Sequence, residues 1–348
     1  MHDLSAVSIK KIAIHKVGNK AHEEKLTLSE DHLRSLAVEE EGILITYFLK
    51  SFQQEEYCTF THHTDLELNE AYSFVHELFF TSINFIEASQ RLAKHLYAHS
   101  IHPKVKGGEF YVVFFEGAVI DGEEVDALGL FKSEQKSLFL NIQPQSTNFD
   151  LSIEKGIDIK KLDKGCVIFN TKGEEGYRVL IHDAVSKGDE AAYWKDDFLG
   201  VEVISTEFTK TRDYMELTRS FVMDEMPQAF DVDRTMQIQM MNRSSGYFTE
   251  NDAIDTEEFT QTVLDQPEVI QTFNAYKERY ETENNIEIED HFDSSKSAVK
   301  QGKKFFKSVL KLDKNFHIYV HGSPDNIEQG YDAEKGMKFY KVFYNEEK

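Results

Sequence analysis

The sequence predicts an α+β protein: an N-terminal antiparallel sheet with packed helices, then a C-terminal helical domain ending in a small antiparallel sheet. Three observations lead there. Residues 110–115 (FYVVFF) form an uninterrupted run of β-formers, the pattern of a strand covered on both faces. Four helical patterns succeed one another over residues 206–283. Beyond them the chain returns to short aromatic-rich extended segments.

Taken in order, residues 7–17 (VSIKKIAIHKV) mix apolar and basic positions and read as an opening strand. Residues 31–52 carry Leu33, Leu36 and Ala37 ahead of ILITYFL and read as a helix despite Gly42. Over 69–79, Tyr72, Val75, Leu78 and Phe79 fall on one helical stripe. Residues 84–99 carry a stronger pattern, with Asn84 as cap and Glu87 three residues on. Its apolar stripe is Phe85, Ala88, Leu92 and Leu96, leaving Arg91, Lys94 and His95 expected to face water. The strand at 110–115, an acidic turn at 121–124, a strand at 127–131 and another at 138–142 predict an antiparallel meander. The rest of the first half is expected to pack against it. A turn at Asp163-Lys164-Gly165 precedes a strand from Cys166 to Phe169; residues 177–183 add another strand, and 190–199 a helix with the only tryptophan, Trp194.

The pattern changes near Ser205, so the domains are predicted as 1–204 and 205–348. Helices are expected over 206–223, 232–242, 255–264 and 267–283, the last with Pro267 in its first turn, where a missing N–H is harmless. Strands at 286–292, 305–312, 316–321 and 337–344 close the chain.

Forty per cent hydrophobic and 29% charged residues place the chain among soluble globular proteins. No segment is apolar for long enough to span a membrane, and the first 16 residues alternate charge with single apolar positions, unlike a signal peptide. Cys58 and Cys166 read as two buried thiols in a reducing cytoplasm. The net charge of −23 argues against coating DNA with the whole surface, because such affinity comes from neutralising phosphates. Contact with DNA then requires a local basic patch or a protein partner. An acidic surface also suits basic partners, including DNA-handling proteins, or simply keeps the chain soluble.

One stretch has the opposite sign. Residues 296–314 hold seven lysines against a single acid, Asp313. Phe316, Tyr319, Phe339, Tyr340, Phe343 and Tyr344 follow, with Lys338 and Lys341. Lysines for phosphates and aromatics for bases are what a strand-tracking surface uses. The candidate contacts are Lys296, Lys300, Lys303, Lys304, Lys307 and Lys311, with Phe305 and Phe306. The competing reading is an ordinary amphipathic sheet, aromatics inward and lysines outward. Arg212, Arg219, Arg234 and Arg243 would extend the patch, though acids are interspersed among them.

His95, His99 and His102 have a spacing that suits zinc, but no cysteine or acid near them in sequence completes a site, so no metal ligand is assigned. Glu109, Glu116, Asp126, Lys132 and Glu134 resemble the acids and lysine of a metal-dependent nuclease, yet Leu130 and Phe131 stand where that arrangement needs an acid. None of the common nucleophile, Walker, zincin or dinucleotide motifs is present. No catalytic residue and no cofactor is assigned.

Six blocks carry a family resemblance: IHKVGN (14–19), KGGEFYVVFFEG (106–117), ALGLFKSE (127–134), IDIKKLDKGCVIFN (157–170), EAAYWKDDFL (190–199) and FKSVLKLDKNFHIYVHG (306–322). In this order and spacing they resemble the NdpA/YejK-type nucleoid-associated proteins of bacteria, over nearly the whole chain. The resemblance implies a cytoplasmic, nucleoid-localised protein that associates with DNA directly or through DNA-handling proteins, without enzymatic activity or cofactor. Two other functions stay open, an acidic interaction module with no direct DNA contact and a metal-dependent nuclease. Aromatics in the tail are compatible with a homodimer.

Overall fold

The first half is built on the double-faced strand anticipated at 110–115. The computed structural model describes residues 2–33, 35–80, 84–184, 193–284, 286–303, 309–312, 316–320 and 326–346. They fall into two compact units, 1–204 and 205–348.

In the first unit, β1 (His2–Asp3) and β2 (Ser8–Val17) are followed by α1 (Val38–Leu49), β3 (Cys58–Phe60), α2 (Glu70–Phe80) and α3 (Phe85–His99). Then come β4 (Gly108–Ile120), β5 (Glu123–Ser133), β6 (Ser137–Pro144), β7 (Phe149–Gly156), β8 (Lys164–Phe169) and β9 (Arg178–Asp183). A π-helical segment, Tyr193–Leu199, leads into β10 (Val201–Val203). Helix α1 starts later than the pattern at 31–52 predicts. Its upstream residues are held by β2 instead, with Leu33 N–H donating to the Ile12 carbonyl at 2.9 Å. The N-terminus of α3 follows the prediction, Asn84 accepting from Ile86 N–H at 3.0 Å. The segment predicted as a helix over 190–199 is π-helical from Tyr193; residues 190–192 lie outside those described.

The sheet runs in the order β1-β4-β5-β8-β9-β3-β10, with β2 also on β4, all antiparallel. Alternation along β4 explains its unbroken apolar run. Phe110 and Val112 join a core with Tyr72, Leu92, Leu96 and Trp194, while Tyr111, Val113 and Phe115 join a second core with Phe48 of α1. Helices thus cover both faces of the sheet. The β4–β5 hairpin closes on Asp121 and Gly122, both at positive φ, as a tight two-residue turn demands.

The predicted meander needs one correction. The segment 138–142 is a strand, but as part of β6 it leaves the sheet and pairs with β7 in a separate hairpin. The third strand beside β5 is β8, with Ala127 opposite Phe169 and Lys132 opposite Lys164. The unbroken apolar character of 166–169 suits the covered position, whereas β6 alternates apolar and polar residues beyond Phe139.

A buried histidine marks the junction of β2 and α3. His15 is 2% exposed; its Nδ1 accepts from Ser29 N–H at 3.1 Å and its Nε2 lies 3.0 Å from Ser89 Oγ. A ring that accepts at Nδ1 is neutral, and burial pushes its pKa down to about 4. That is below the ordinary 6.5, so the unfolded chain takes up this proton first as pH falls. The stability present at neutral pH is expected to decline between pH about 6.5 and about 4, by on the order of 3 kcal/mol from this group. Urea unfolding of wild type and His15→Asn across that range checks it. Identical acid slopes for the two proteins would refute the assignment.

In the second unit, α4 (Glu207–Ser220), α5 (Arg234–Glu250), β11 (Ala253–Asp255), α6 (Thr256–Phe259) and α7 (Pro267–Asn284) are followed by β12 (His291–Asp293) and α8 (Lys296–Gly302). Side-chain caps start α4, α5, α6 and α8, from Thr206, Asp233, Asp255 and Ser295. Tyr214, Phe221, Phe248, Phe259, Phe273 and Phe292 share one core. The predicted strand at 286–292 reduces to β12, which pairs with β11. Two hairpins end the unit, β13 (Val309–Leu312) with β14 (Phe316–Tyr319), and β15 (Ile327–Asp332) with β16 (Met337–Val342). Of the predicted terminal strands, residues 305–308 and His321 lie outside the described residues.

Candidate nucleic-acid interface

The lysine-rich stretch begins as a helix rather than a strand. Ser295 Oγ accepts from Ala298 N–H at 3.3 Å and starts α8. Ala298, Val299 and Gly302 turn inward, and Gly302 packs so closely on Met215 that a Cβ there would sit 2.4 Å from the Met215 methyl. Inward-facing 298, 299 and 302 leave Lys296, Lys300 and Lys303 exposed at spacings of four and three, along one helical face. Lys296 pairs with Asp252 at 3.1 Å, both fully solvated, a bond of little energetic weight. Among the described residues no carboxylate lies within ion-pair distance of Lys300 or Lys303. Lys304, Phe305, Phe306 and Lys307 lie outside the described residues, as does the side chain of Lys311 on β13.

The aromatics after this helix are not turned inward as a plain amphipathic sheet requires. Phe316, Tyr319, Phe339, Phe343 and Tyr344 are exposed. Lys341 Nζ sits 4.7 Å from the centroid of the Phe343 ring and pairs with Glu328. The helical arginines do not all extend the patch. Arg212 folds onto Asp213 at 2.7 Å, and Arg234 donates to Gln237 at 3.0 Å.

The acids and lysine that resembled a nuclease do not converge. Glu109, Lys132 and Glu134 lie at one end of the β4–β5 ladder, where Glu109 is opposite Ser133. Glu116 and Asp126 lie further along it, at the irregularity that follows the Phe115–Ala127 pair. Glu116 is seven steps along the strand from Glu109, about 23 Å, too far to share a metal ion. Glu116 is engaged by Lys10, and burial together with the Glu116 charge raises the Asp126 carboxyl.

What assembles around Lys132 is a buried ionic network that sequence patterns did not reveal. Lys132 and Lys164 face each other across β5 and β8, both essentially inaccessible to water. Lys132 Nζ donates to the Lys106 carbonyl, to Glu134 at 3.0 Å and to Tyr193 Oη at 3.2 Å. Lys164 Nζ donates to both oxygens of Asp183, at 2.9 and 2.8 Å. The two ammonium groups lie 5.4 and 5.3 Å from the Tyr193 ring centroid, within cation–π range. Asp163 braces the loop after β5, accepting from the N–H groups of Glu134 and Gln135. Burial lowers the Lys132 pKa, Glu134 opposing that shift, and burial holds the Tyr193 phenol well above its ordinary value. The only signal available in sequence was a lysine at an inward position of each of two buried strands.

The histidines also depart from expectation. His95 does not face water: its side chain is 9% exposed and contacts Glu70 of α2 and the Phe198 carbonyl. Burial lowers its pKa. His102 lies beyond the end of α3, where its ring nitrogen accepts from Lys104 N–H.

Compared with protein families, residues 13–344 match the model described as nucleoid-associated protein YejK. The chain belongs to that family. No curated protein matches it. Membership of the YejK family carries association with the nucleoid. Among the described residues no helix is long and apolar enough to cross a membrane.

Proposed function

We propose that this YejK-family chain is a non-enzymatic nucleoid protein that meets DNA directly through the α8 lysines and those that follow them, and does so as a homodimer. The observation that carries direct contact is the alignment of Lys296, Lys300 and Lys303 on one exposed helical face, in a chain of net charge −23. Local positive potential is what lets an anionic protein approach a phosphate backbone. Exposed aromatics on the two terminal hairpins supply stacking surface. The separation of the β4–β5 acids into two groups supports a role without catalysis.

If all six candidate lysines neutralise phosphates, affinity for duplex DNA should fall roughly 10³-fold between 50 and 200 mM salt. An electrophoretic shift on single- and double-stranded DNA across that range reads it out. Lys300→Glu with Lys303→Glu should weaken binding on every sequence and make the log–log salt slope shallower by about 2. Binding unchanged by the double substitution would eliminate the assignment. The second reading, an acidic module seated on a basic DNA-handling protein, is favoured by the net charge. It takes over if purified protein shifts no DNA even at low salt.

The dimer rests on the β6–β7 hairpin. Register places Leu138, Leu140 and Ile142 on the same face as Ile153, Leu151 and Phe149. Each of the six is 55–73% exposed. The opposite face holds Asn141, Gln143, Asp150, Ser152 and Glu154 around Phe139. A second copy is the occupant this face fits. Its acids, Asp150 and Glu154, point the other way, Lys155 opposite Leu138 is the one charge on the apolar face, and a two-fold contact would cover the six exposed apolar side chains of each copy at once.

A further inference from the structure

The acid that sequence could not supply for the histidine cluster comes from another helix. Helices α2 and α3 lie side by side and antiparallel, since Glu77 reaches Arg91 at 2.8 Å while Glu70, seven residues earlier, reaches His95. His95 and His99 are four residues apart on α3 and share a face, their ring centroids 4.7 Å apart. One ligand atom each from Glu70, His95 and His99 lies within 4.8 Å of the others.

The hydrogen bonding of His95 decides what this cluster can hold. Its Nε2 is 3.0 Å from the Phe198 carbonyl, an acceptor only, so Nε2 carries the proton. In the neutral ring the other nitrogen, Nδ1, then presents its lone pair to a carboxylate oxygen of Glu70 only 3.1 Å away. Two acceptors at that distance repel unless a proton or a metal cation lies between them. A ring nitrogen tied to a backbone carbonyl, with the other aimed at a carboxylate, is the supporting arrangement of a metal-bound histidine.

The geometry points to a divalent transition-metal site formed by Glu70, His95 and His99. Two imidazoles and one carboxylate suit zinc-class ions rather than magnesium or calcium, which take oxygen donors. Three protein ligands leave a fourth tetrahedral position, and Glu70, 66% exposed, opens it to solvent. His102 takes no part.

Full-length protein stripped with chelator and titrated calorimetrically with zinc ion alone should take up one equivalent at this site. Cobalt(II) in its place should show the visible absorption of a four-coordinate ion. Glu70→Gln at an exposed position and His99→Ala at a half-buried one should each weaken zinc binding at least about 100-fold. His102→Ala should leave it unchanged. Stripped wild type that takes up no zinc would overturn the proposal. So would zinc binding of wild-type strength in either of the first two variants, since the cluster would then be only an imidazolium–carboxylate pair.

Discussion

Replacing Lys132 by methionine is expected to destabilise the N-terminal unit by about 3–5 kcal/mol. The substitution fits the volume but leaves Glu134, whose side chain is 3% exposed, buried without its cation. Desolvating a carboxylate is tolerable only while Lys132 Nζ and Tyr193 Oη both reach the same oxygen, at 3.0 Å each. In a unit of this size the loss should lower the melting temperature by on the order of 10 °C. Lys132→Met combined with Glu134→Leu should recover much of it, because removing both charges abolishes the desolvation penalty as well as the attraction. Chemical unfolding of the two single variants and the double variant closes the cycle, and a coupling energy of at least about 2 kcal/mol is expected. A Lys132→Met protein within 1 kcal/mol of wild type would show that the network does not hold the unit together.

Leu140→Asp with Ile153→Asp is expected to convert the proposed dimer to a monomer. The two residues are directly opposite on β6 and β7, at the centre of the apolar face, and both are exposed in the single chain. Central apolar positions of an interface commonly contribute about 2 kcal/mol or more each, and a buried unpaired carboxylate adds a desolvation penalty. Together the two changes should weaken association by at least about 10³-fold. Sedimentation equilibrium should give twice the 40.3 kDa chain mass for wild type and the single mass for the variant. Asn141→Asp with Ser152→Asp, on the opposite face, should leave the mass unchanged. Wild type that stays monomeric at tens of micromolar would remove the homodimer. If dimerisation is confirmed, the monomeric variant should also bind long DNA more weakly, since two lysine faces then no longer act together.

The candidate surfaces differ in how far they could be read from the chain. The lysines from 296 onward stand out because charge density is a local property, visible wherever a run of one sign interrupts the other. Their helical placement was less visible, since Ala298, Val299 and Gly302 form too short an apolar pattern to compete with the aromatic segments that follow. Glu70 was invisible as a partner of His95 and His99, since it stands 25 positions before the nearer histidine. The same holds for Asp183 and Tyr193 beside the two buried lysines.

From its sequence alone this chain declares the α+β class, the helix cap at Asn84, the strand at 110–115 covered on both faces, and the family. Each of these depends on residues close together along the backbone, or on blocks kept in order, so periodicity and composition suffice to show them. Which strand lies beside β5, where the apolar hairpin goes, and which carboxylate meets which lysine or histidine were decided by tertiary structure. Side chains distant along the chain are brought within 3 Å by the pairing of whole elements, and the energies that select one pairing over another are spread over entire faces rather than written at any single position.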